Sequence, residues 1–264
     1  MKILKNLLGG KRNSNCVELF YWRPSNGSQN FGDHLSHVVV STVLYRHERL
    51  LDEEVKNPRR LLAIGSILHF AKDGDVIWGS GVNGKVPEST HQFKNLDVRA
   101  VRGPLTKEFL SKRGIYVPEV YGDPALLLPL LFPSRFRTDQ KRRELAVVPN
   151  LHDINLVRHD ESFISPLLPW YQVVDAIVSS DRVVASSLHG LIIAEAFGIP
   201  ATYLRLSETE ALFKFEDYYQ GTGRANIPYA KTLDEAREMG GMPPPKIDGQ
   251  RLLAAFPIDL WHPQ

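Results

Sequence analysis

The chain has 264 residues, 43% hydrophobic and 23% charged, the make-up of a folded protein with room for one large domain or two of roughly 100–150 residues. A formal charge of +2 argues against nucleic acid as a partner, and a single cysteine, Cys16, excludes an internal disulfide and a cysteine-based zinc cluster. No apolar run reaches the roughly 18–20 residues that span a bilayer, so a cytoplasmic protein is expected.

Residues 1–8 lack the apolar length and cleavage site of a signal peptide. Ile3, Leu4, Leu7 and Leu8 share a helical face, which predicts a docked terminal helix, with contact to an anionic membrane surface as the alternative. Residues 17–22 read as a strand and residues 32–46 as a helix introduced by Asn30-Phe31-Gly32-Asp33. Residues 61–64 and 76–78 are short apolar strands that run into Gly65-Ser66 and Gly79-Ser80-Gly81. Residues 98–101 form a further strand. Residues 104–113 form a helix with Pro104 at its first position and Gly114 closing it. Tyr121-Gly122-Asp123-Pro124 is an Asp cap on a proline-started turn, for which ligand contact is the second reading.

Between residues 132 and 143 the chain turns basic, with Arg135, Arg137, Lys141, Arg142 and Arg143. This predicts an interdomain connection, with a membrane-facing patch as the alternative. The alternation then restarts: strands over 145–149, 182–185 and 201–206, helices over 170–179 and 188–197. The tail, including 242–245 and 251–256, reads as an irregular closing segment. The pattern predicts an α/β protein of two Rossmann-like domains, residues 1–134 and 144–264, facing a cleft in a GT-B-like arrangement.

In doubly wound sheets ligands gather beyond the carboxyl ends of the strands. The turn Ser187-Leu188-His189-Gly190 follows a buried strand and opens an apolar helix, whose free amides and positive macrodipole end favour an anion. A titratable imidazole there suits a phosphorylated donor; a satisfied structural histidine is the alternative. Asp33, beside Asn30, is either a first-turn acid or a group that accepts a proton or a sugar hydroxyl in the cleft. With His34 and His37 it superficially suggests a metal, but no third ligand stands at diagnostic spacing and none is expected.

The loop 79–84, with Ser80 and Asn83, offers bare amides but is neither a Walker loop nor GxGxxG; His91 lies in a following loop. Arg102, at a strand end before Pro104, suits a carboxylate or phosphate through paired hydrogen bonds, against a structural salt bridge. Arg205, Lys214 and Arg224 are later cations that could close over phosphate.

Taken in order, Asn30-Phe-Gly-Asp33, Gly65-Ser66, Trp78-Gly-Ser-Gly81, Val101-Arg-Gly-Pro104, Gly122-Asp-Pro-Ala-Leu126, Ser187-Leu-His-Gly190, Ala194-Glu-Ala196 and Gly198-Ile-Pro200 resemble the polysaccharide pyruvyl transferase family over roughly residues 17–206. Around residues 101–106 and 122–129 the wording is most similar to its xanthan-type, ketal-forming branch. The resemblance implies transfer of an enolpyruvyl-derived unit from phosphoenolpyruvate to a sugar as a cyclic ketal. In the xanthan case the ketal bridges O4 and O6 of a terminal mannose on a lipid-linked oligosaccharide at the inner membrane. It implies no nucleotide-sugar donor, and no cofactor is expected.

The family's Leu-His pair corresponds to Leu188 and His189, and its strand-end arginine to Arg102. Arg102 is then expected to clamp one donor anion and the amides near His189 to hold the phosphate. His189 is expected as general acid or as the group that neutralises departing phosphate, and Asp33 as base for a sugar hydroxyl. Ser187, Leu188, Gly190, Arg205 and Lys214 complete the expected donor side; Asn30, Ser80, Asn83 and His91 supply the expected loop contacts to the acceptor. The rivals are a nucleotide-sugar glycosyltransferase and a non-catalytic carbohydrate-binding protein of polysaccharide assembly.

Overall fold

The first half of the chain builds one parallel sheet and the second half another. A computed structural model describes residues 15–262 except 25, 26, 138, 140 and 209. The helix expected at residues 1–8 lies outside the described residues. The first sheet runs β1 (Glu18–Phe20), β2 (Arg60–Leu62), β3 (Val76–Trp78) and β4 (Asp97–Ala100), neighbours in chain order. Helix α1 (Phe31–Arg46) connects β1 to β2, and α2 (Pro104–Ser111) and the short α3 (Leu128–Leu131) follow β4.

The second sheet runs β5 (Arg143–Val148), β6 (Ser180–Ala185), β7 (Ala201–Leu204) and β8 (Tyr229–Ala230). Helices α4 (Ile154–Val157), α5 (Trp170–Val178), α6 (Leu188–Ala196) and α7 (Phe213–Gly221) lie between these strands, and α8 (Leu233–Glu238) and α9 (Gly249–Ala254) close the chain. The protein is therefore α/β, with two four-stranded parallel sheets. Among the described strands neither sheet reverses its order, so neither offers the within-sheet crevice of a doubly wound fold. Among the described residues no helix is long and apolar enough to cross a membrane.

Local chemistry explains the elements that matter. Asn30 accepts the Gly32 amide at 3.1 Å and starts α1, whose Leu35, Val39, Val40 and Val43 are fully buried. Ser187 caps α6 by accepting the Gly190 amide at 3.3 Å. Helix α6 is apolar almost all round because it is buried on every side. Gly190, expected at the donor site, is instead a packing residue. A Cβ there would stand 2.9 Å from that of Ala185 and 3.1 Å from that of Val148, so only glycine lets α6 rest on the sheet.

One hydrophobic core runs through both halves, from Val17 and Leu35 to Val173, Ile192 and Trp261. The tail corrects an expectation. Residues 251–256 are not irregular but largely helical, because Asp248 caps α9 and Leu252 faces the core. This segment returns to the first half, where Trp78 Nε1 donates to Leu252 O at 2.9 Å and Arg99 pairs with Asp259 at 2.8 Å. The basic connection is also anchored: Arg135 grips Asp175 through two 2.8 Å bonds, and Lys141 Nζ donates to Ser180 O at 2.6 Å.

The halves are pinned by a buried charge pair. Arg102 Nε donates to Asp217 Oδ2 at 3.0 Å, and Thr106 donates to the same carboxylate through its amide (2.8 Å) and hydroxyl (2.6 Å). Both charged side chains are completely buried. Helices α2 and α7 approach so closely that a Cβ on Gly103 would sit 1.7 Å from Asp217 O. The expected clamp is thereby corrected: the structural salt bridge takes the guanidinium out of the cleft. Asp217→Ala should cost about 3–5 kcal/mol in urea unfolding by stranding Arg102, whereas Arg102→Met with Asp217→Leu should cost far less. Equal losses for the two proteins would count against this account.

Candidate functional site

Loops at the carboxyl ends of strands from both sheets converge on an open cavity of about 270 Å³. After β1 come Trp22, Asn30 and Asp33; after β2, Ser66, His69 and Phe70; after β3, Asn83 and Lys85. The second half contributes Asn150, Ser187, Leu188, His189 and Lys214. The placement follows the rule for parallel sheets, except that two sheets share the duty.

The site is built on two helix first turns laid against each other. Asp33 sits in the first turn of α1 and His189 in that of α6. A Cβ on Gly32 would lie 2.2 Å from His189 Nδ1, so the approach requires glycine at that position. Both turns bring the positive end of a helix dipole to the cavity, with part of their amides already bonded: Phe31 N to Pro166 O, Gly32 N to Asn30 Oδ1 and Gly190 N to Ser187 Oγ. His189 Nε2 stands 3.6 Å from Asp123 Oδ2, an ion-pair separation too long for a hydrogen bond. Asp123 Oδ1 meanwhile accepts the Ala125 amide at 2.9 Å, so the cap predicted from Asp123-Pro124 also faces the imidazole.

Burial raises the Asp33 carboxyl to about 6, although His189 and Lys214 pull it down. Two lysines supply the positive charge, joined by one carboxylate. Lys214 Nζ lies 2.5 Å from Glu210 Oε2, and Lys85 Nζ bonds the other oxygen, Oε1. Burial lowers the Lys214 pKa below its ordinary value, with Glu210 opposing the shift. Burial also pushes Glu210 up, but the two lysines outweigh it and hold the carboxyl below its usual range.

Asn30, Asp33, Asn83, Ser187, Leu188, His189 and Lys214 thus line the cavity. Ser80, His91, Arg205 and Arg224 do not. Ser80 is fully buried and donates to Gly65 O at 2.9 Å. His91 packs behind His69, its ring 4.7 Å from that of Phe109. Arg205 pairs with Glu208 and lies over the Tyr229 ring. Arg224 holds buried Glu195 through bonds of 2.7 and 2.8 Å and stacks 3.7 Å over Tyr219. For Ser80, Arg205 and Arg224 the cause is the same, a nearer protein partner, whereas His91 is held by packing against aromatic rings.

His34 and His37 stack at 5.7 Å, and among the described residues no group of three His, Cys, Asp or Glu side chains is arranged to hold a metal. Sequence reasoning missed Lys85, His69, Trp22 and Glu210. Lys85 directly follows the glycine-rich 79–84 loop, and Glu210 stands four residues before Lys214, the two available signals.

The model of the polysaccharide pyruvyl transferase family matches residues 30–208, and the chain belongs to that family. Among curated relatives, the succinoglycan biosynthesis protein ExoV of Rhizobium meliloti (strain 1021) is 30% identical over 228 residues, covering 77% of this chain and 64% of that protein. The uncharacterized protein L143 of Acanthamoeba polyphaga mimivirus is 27% identical over 183 residues, covering 64% of this chain and 62% of its own. The chain thus spans a little under two thirds of the length of these relatives. No solved structure matches it significantly.

The raised Asp33 carboxyl carries a stability consequence. Its folded pKa of about 6 exceeds the ordinary 3.8, so the folded protein binds the extra proton between those values. Stability from this group is complete below pH 3.8 and is lost as pH rises through 6. Asp33→Asn should therefore be the more stable protein at pH 8, by up to about 3 kcal/mol, and nearly equal at pH 4. Urea unfolding at pH 4, 6 and 8 checks this; a difference independent of pH would contradict it.

Proposed function

We propose that this protein transfers the pyruvyl unit of phosphoenolpyruvate to a saccharide diol as a cyclic ketal, releasing phosphate, in exopolysaccharide synthesis. The observation that carries the reading is the meeting, in one cavity, of two helix N-termini, Lys85, Lys214 and a carboxyl tuned to about 6. The donor is small and carries both a carboxylate and a phosphate. Such a ligand fits ammonium groups and free first-turn amides. Family membership and the ExoV relative, whose name ties that protein to succinoglycan, supply the polysaccharide context.

In this reading Lys85 and Lys214 take the clamping role first expected of Arg102. Arg102 instead props the wall, donating to Ser66 Oγ at 2.5 Å. The Asp123 carboxylate stands 3.6 Å from His189 Nε2 without a hydrogen bond, and we assign Nδ1 as the nitrogen that exchanges a proton with the ligand. A proton added to the methylene carbon of phosphoenolpyruvate makes it a methyl group and leaves an oxocarbenium-like centre at C2. One sugar hydroxyl adds there as Asp33 removes its proton. The C2–O bond to phosphate then breaks, the phosphate leaving with a proton from His189, and the second hydroxyl closes the ring. The two hydroxyl protons balance those taken up by the methyl carbon and the phosphate. The scheme uses no cofactor beyond the donor.

We read the two sheets as Rossmann-like halves, residues 1–134 and 144–264, in a GT-B-like pair with the donor held chiefly by the second. The acceptor we favour is a terminal hexose offering O4 and O6, mannose in a xanthan-like repeat, carried on a lipid at the cytoplasmic face of the inner membrane.

With phosphoenolpyruvate and a lipid-linked oligosaccharide, the protein should release phosphate only when both are present, and the saccharide should gain the mass of a pyruvate ketal. His189→Ala should lower turnover at least about 10²-fold. Turnover within threefold of the parent, or thermal stabilisation by nucleotide sugars and not by phosphoenolpyruvate, would overturn the assignment.

A further inference from the structure

Beyond the charged floor of the cavity, its rim carries two large apolar rings with no anion to bind. Trp22 is 36% exposed and Phe70 is 39% exposed, and both line the same cavity as Asp33 and Lys214. A lone exposed apolar ring is ordinary on a protein surface, but these two line one cavity together. Phe70 is nevertheless fixed at the rim: the His69 ring packs against it at 4.0 Å, Phe20 sits 5.4 Å away, and Arg60 Nη2 donates to its carbonyl at 2.6 Å. A held, exposed aromatic ring at the mouth of a polar cavity offers an apolar face to a ligand.

Polar groups stand just inside that rim. Asn30, which commits its Oδ1 to the α1 cap, lines the cavity here. His69 lines the cavity with its Nδ1 3.5 Å from the Asn83 amide nitrogen, and burial lowers its pKa, so the ring is neutral and able both to donate and to accept. A ligand matching this arrangement has one apolar face, a rim of hydroxyls, and no charge where it meets the rings. A pyranose has these properties.

We propose that Trp22 and Phe70 form the acceptor subsite: a hexopyranose ring stacks on them, with its hydroxyls turned inward to His69, Asn30 and Asp33. The assignment rests on the pyruvyl-transfer reading and deepens it by separating the two substrates in space. The doubly anionic donor lies against Lys85, Lys214 and the α6 turn, and the neutral sugar lies on the aromatic rim. The ring then presents two hydroxyls to the Asp33 carboxyl, as ketal closure requires.

Intrinsic fluorescence reads this site directly. Of the four tryptophans, Trp78 and Trp261 are buried and Trp170 packs 5.8 Å from both Phe132 and Phe136, which leaves Trp22 to report a ligand at the rim. In the full-length protein, methyl mannoside or methyl glucoside should shield Trp22 from acrylamide quenching, and the shielding should vanish in Trp22→Phe. Phe70→Ala and Trp22→Ala should weaken glycoside binding about tenfold, while the thermal shift given by phosphoenolpyruvate stays within twofold of its parent midpoint. Phe70→Tyr, which keeps a ring, should bind glycoside like the parent and guards against a folding artefact.

Absence of shielding by both glycosides, or equal weakening of sugar and phosphoenolpyruvate, would overturn the subsite. Shielding without any pyruvyl transfer would leave the subsite standing and remove the transferase reading instead. Transfer without shielding would do the reverse.

Discussion

The closeness of Gly32 to His189 is the constraint on which the site depends. Two helices from different sheets end their first turns on one another, and any side chain at residue 32 would drive the imidazole away. Their dipoles add at that point, and Asp33 is held on the cavity wall beside His189. The approach places His189 beside Asp33, whose carboxyl pKa is raised by burial, and brings the imidazole Nε2 to 3.6 Å from Asp123.

Buried charges elsewhere hold the approach in register. Arg102 and Asp217 fix α2 against α7, and Glu195 ties α6 to Tyr218 (2.6 Å) and Arg224. Such pairs add little net stability over a well-packed apolar equivalent, but removing one partner is expensive. Their value here is positional. The donors of Arg102 are taken up by Asp217, Ser66 and the Val82 carbonyl, so the guanidinium sets where Ser66 stands at the cavity wall. Glu210 does the corresponding job for Lys85 and Lys214, holding two ammonium groups close together that would otherwise repel one another.

Much of the architecture was legible beforehand. The alternation of short apolar strands with capped helices predicts seven of the eight strands; β8, two residues long, is too short to show a period. Asp123 caps its turn as expected, and Asn30 and Ser187, in the segments expected to introduce helices, prove to be the caps of α1 and α6, since a cap depends only on its neighbours in the chain. Helix α7 escaped because it mixes aromatic and charged residues without a clean stripe: Asp217 is buried by its partner Arg102, not by hydrophobicity. Among site residues, Asp33, Asn83, Ser187 and His189, in segments that follow strands, were expected, while Lys85 was missed and His69 and Trp22 carry no local mark of their position.

What the amino-acid order determined by itself is therefore local: where helices begin, which strands are apolar throughout, and that Ser187-Leu188-His189-Gly190 opens a helix at a strand end. Tertiary structure alone decided which charges line the cavity and which are buried against each other. Arg102, expected as the donor clamp, is consumed by Asp217, 115 residues away, while Lys214, expected only as a later cation, pairs with Glu210 and still lines the cavity. The reason is physical. Hydrogen bonds and backbone angles within a turn are settled over a few residues, but the fate of a charge depends on the partner and the burial it meets after the chain has closed on itself.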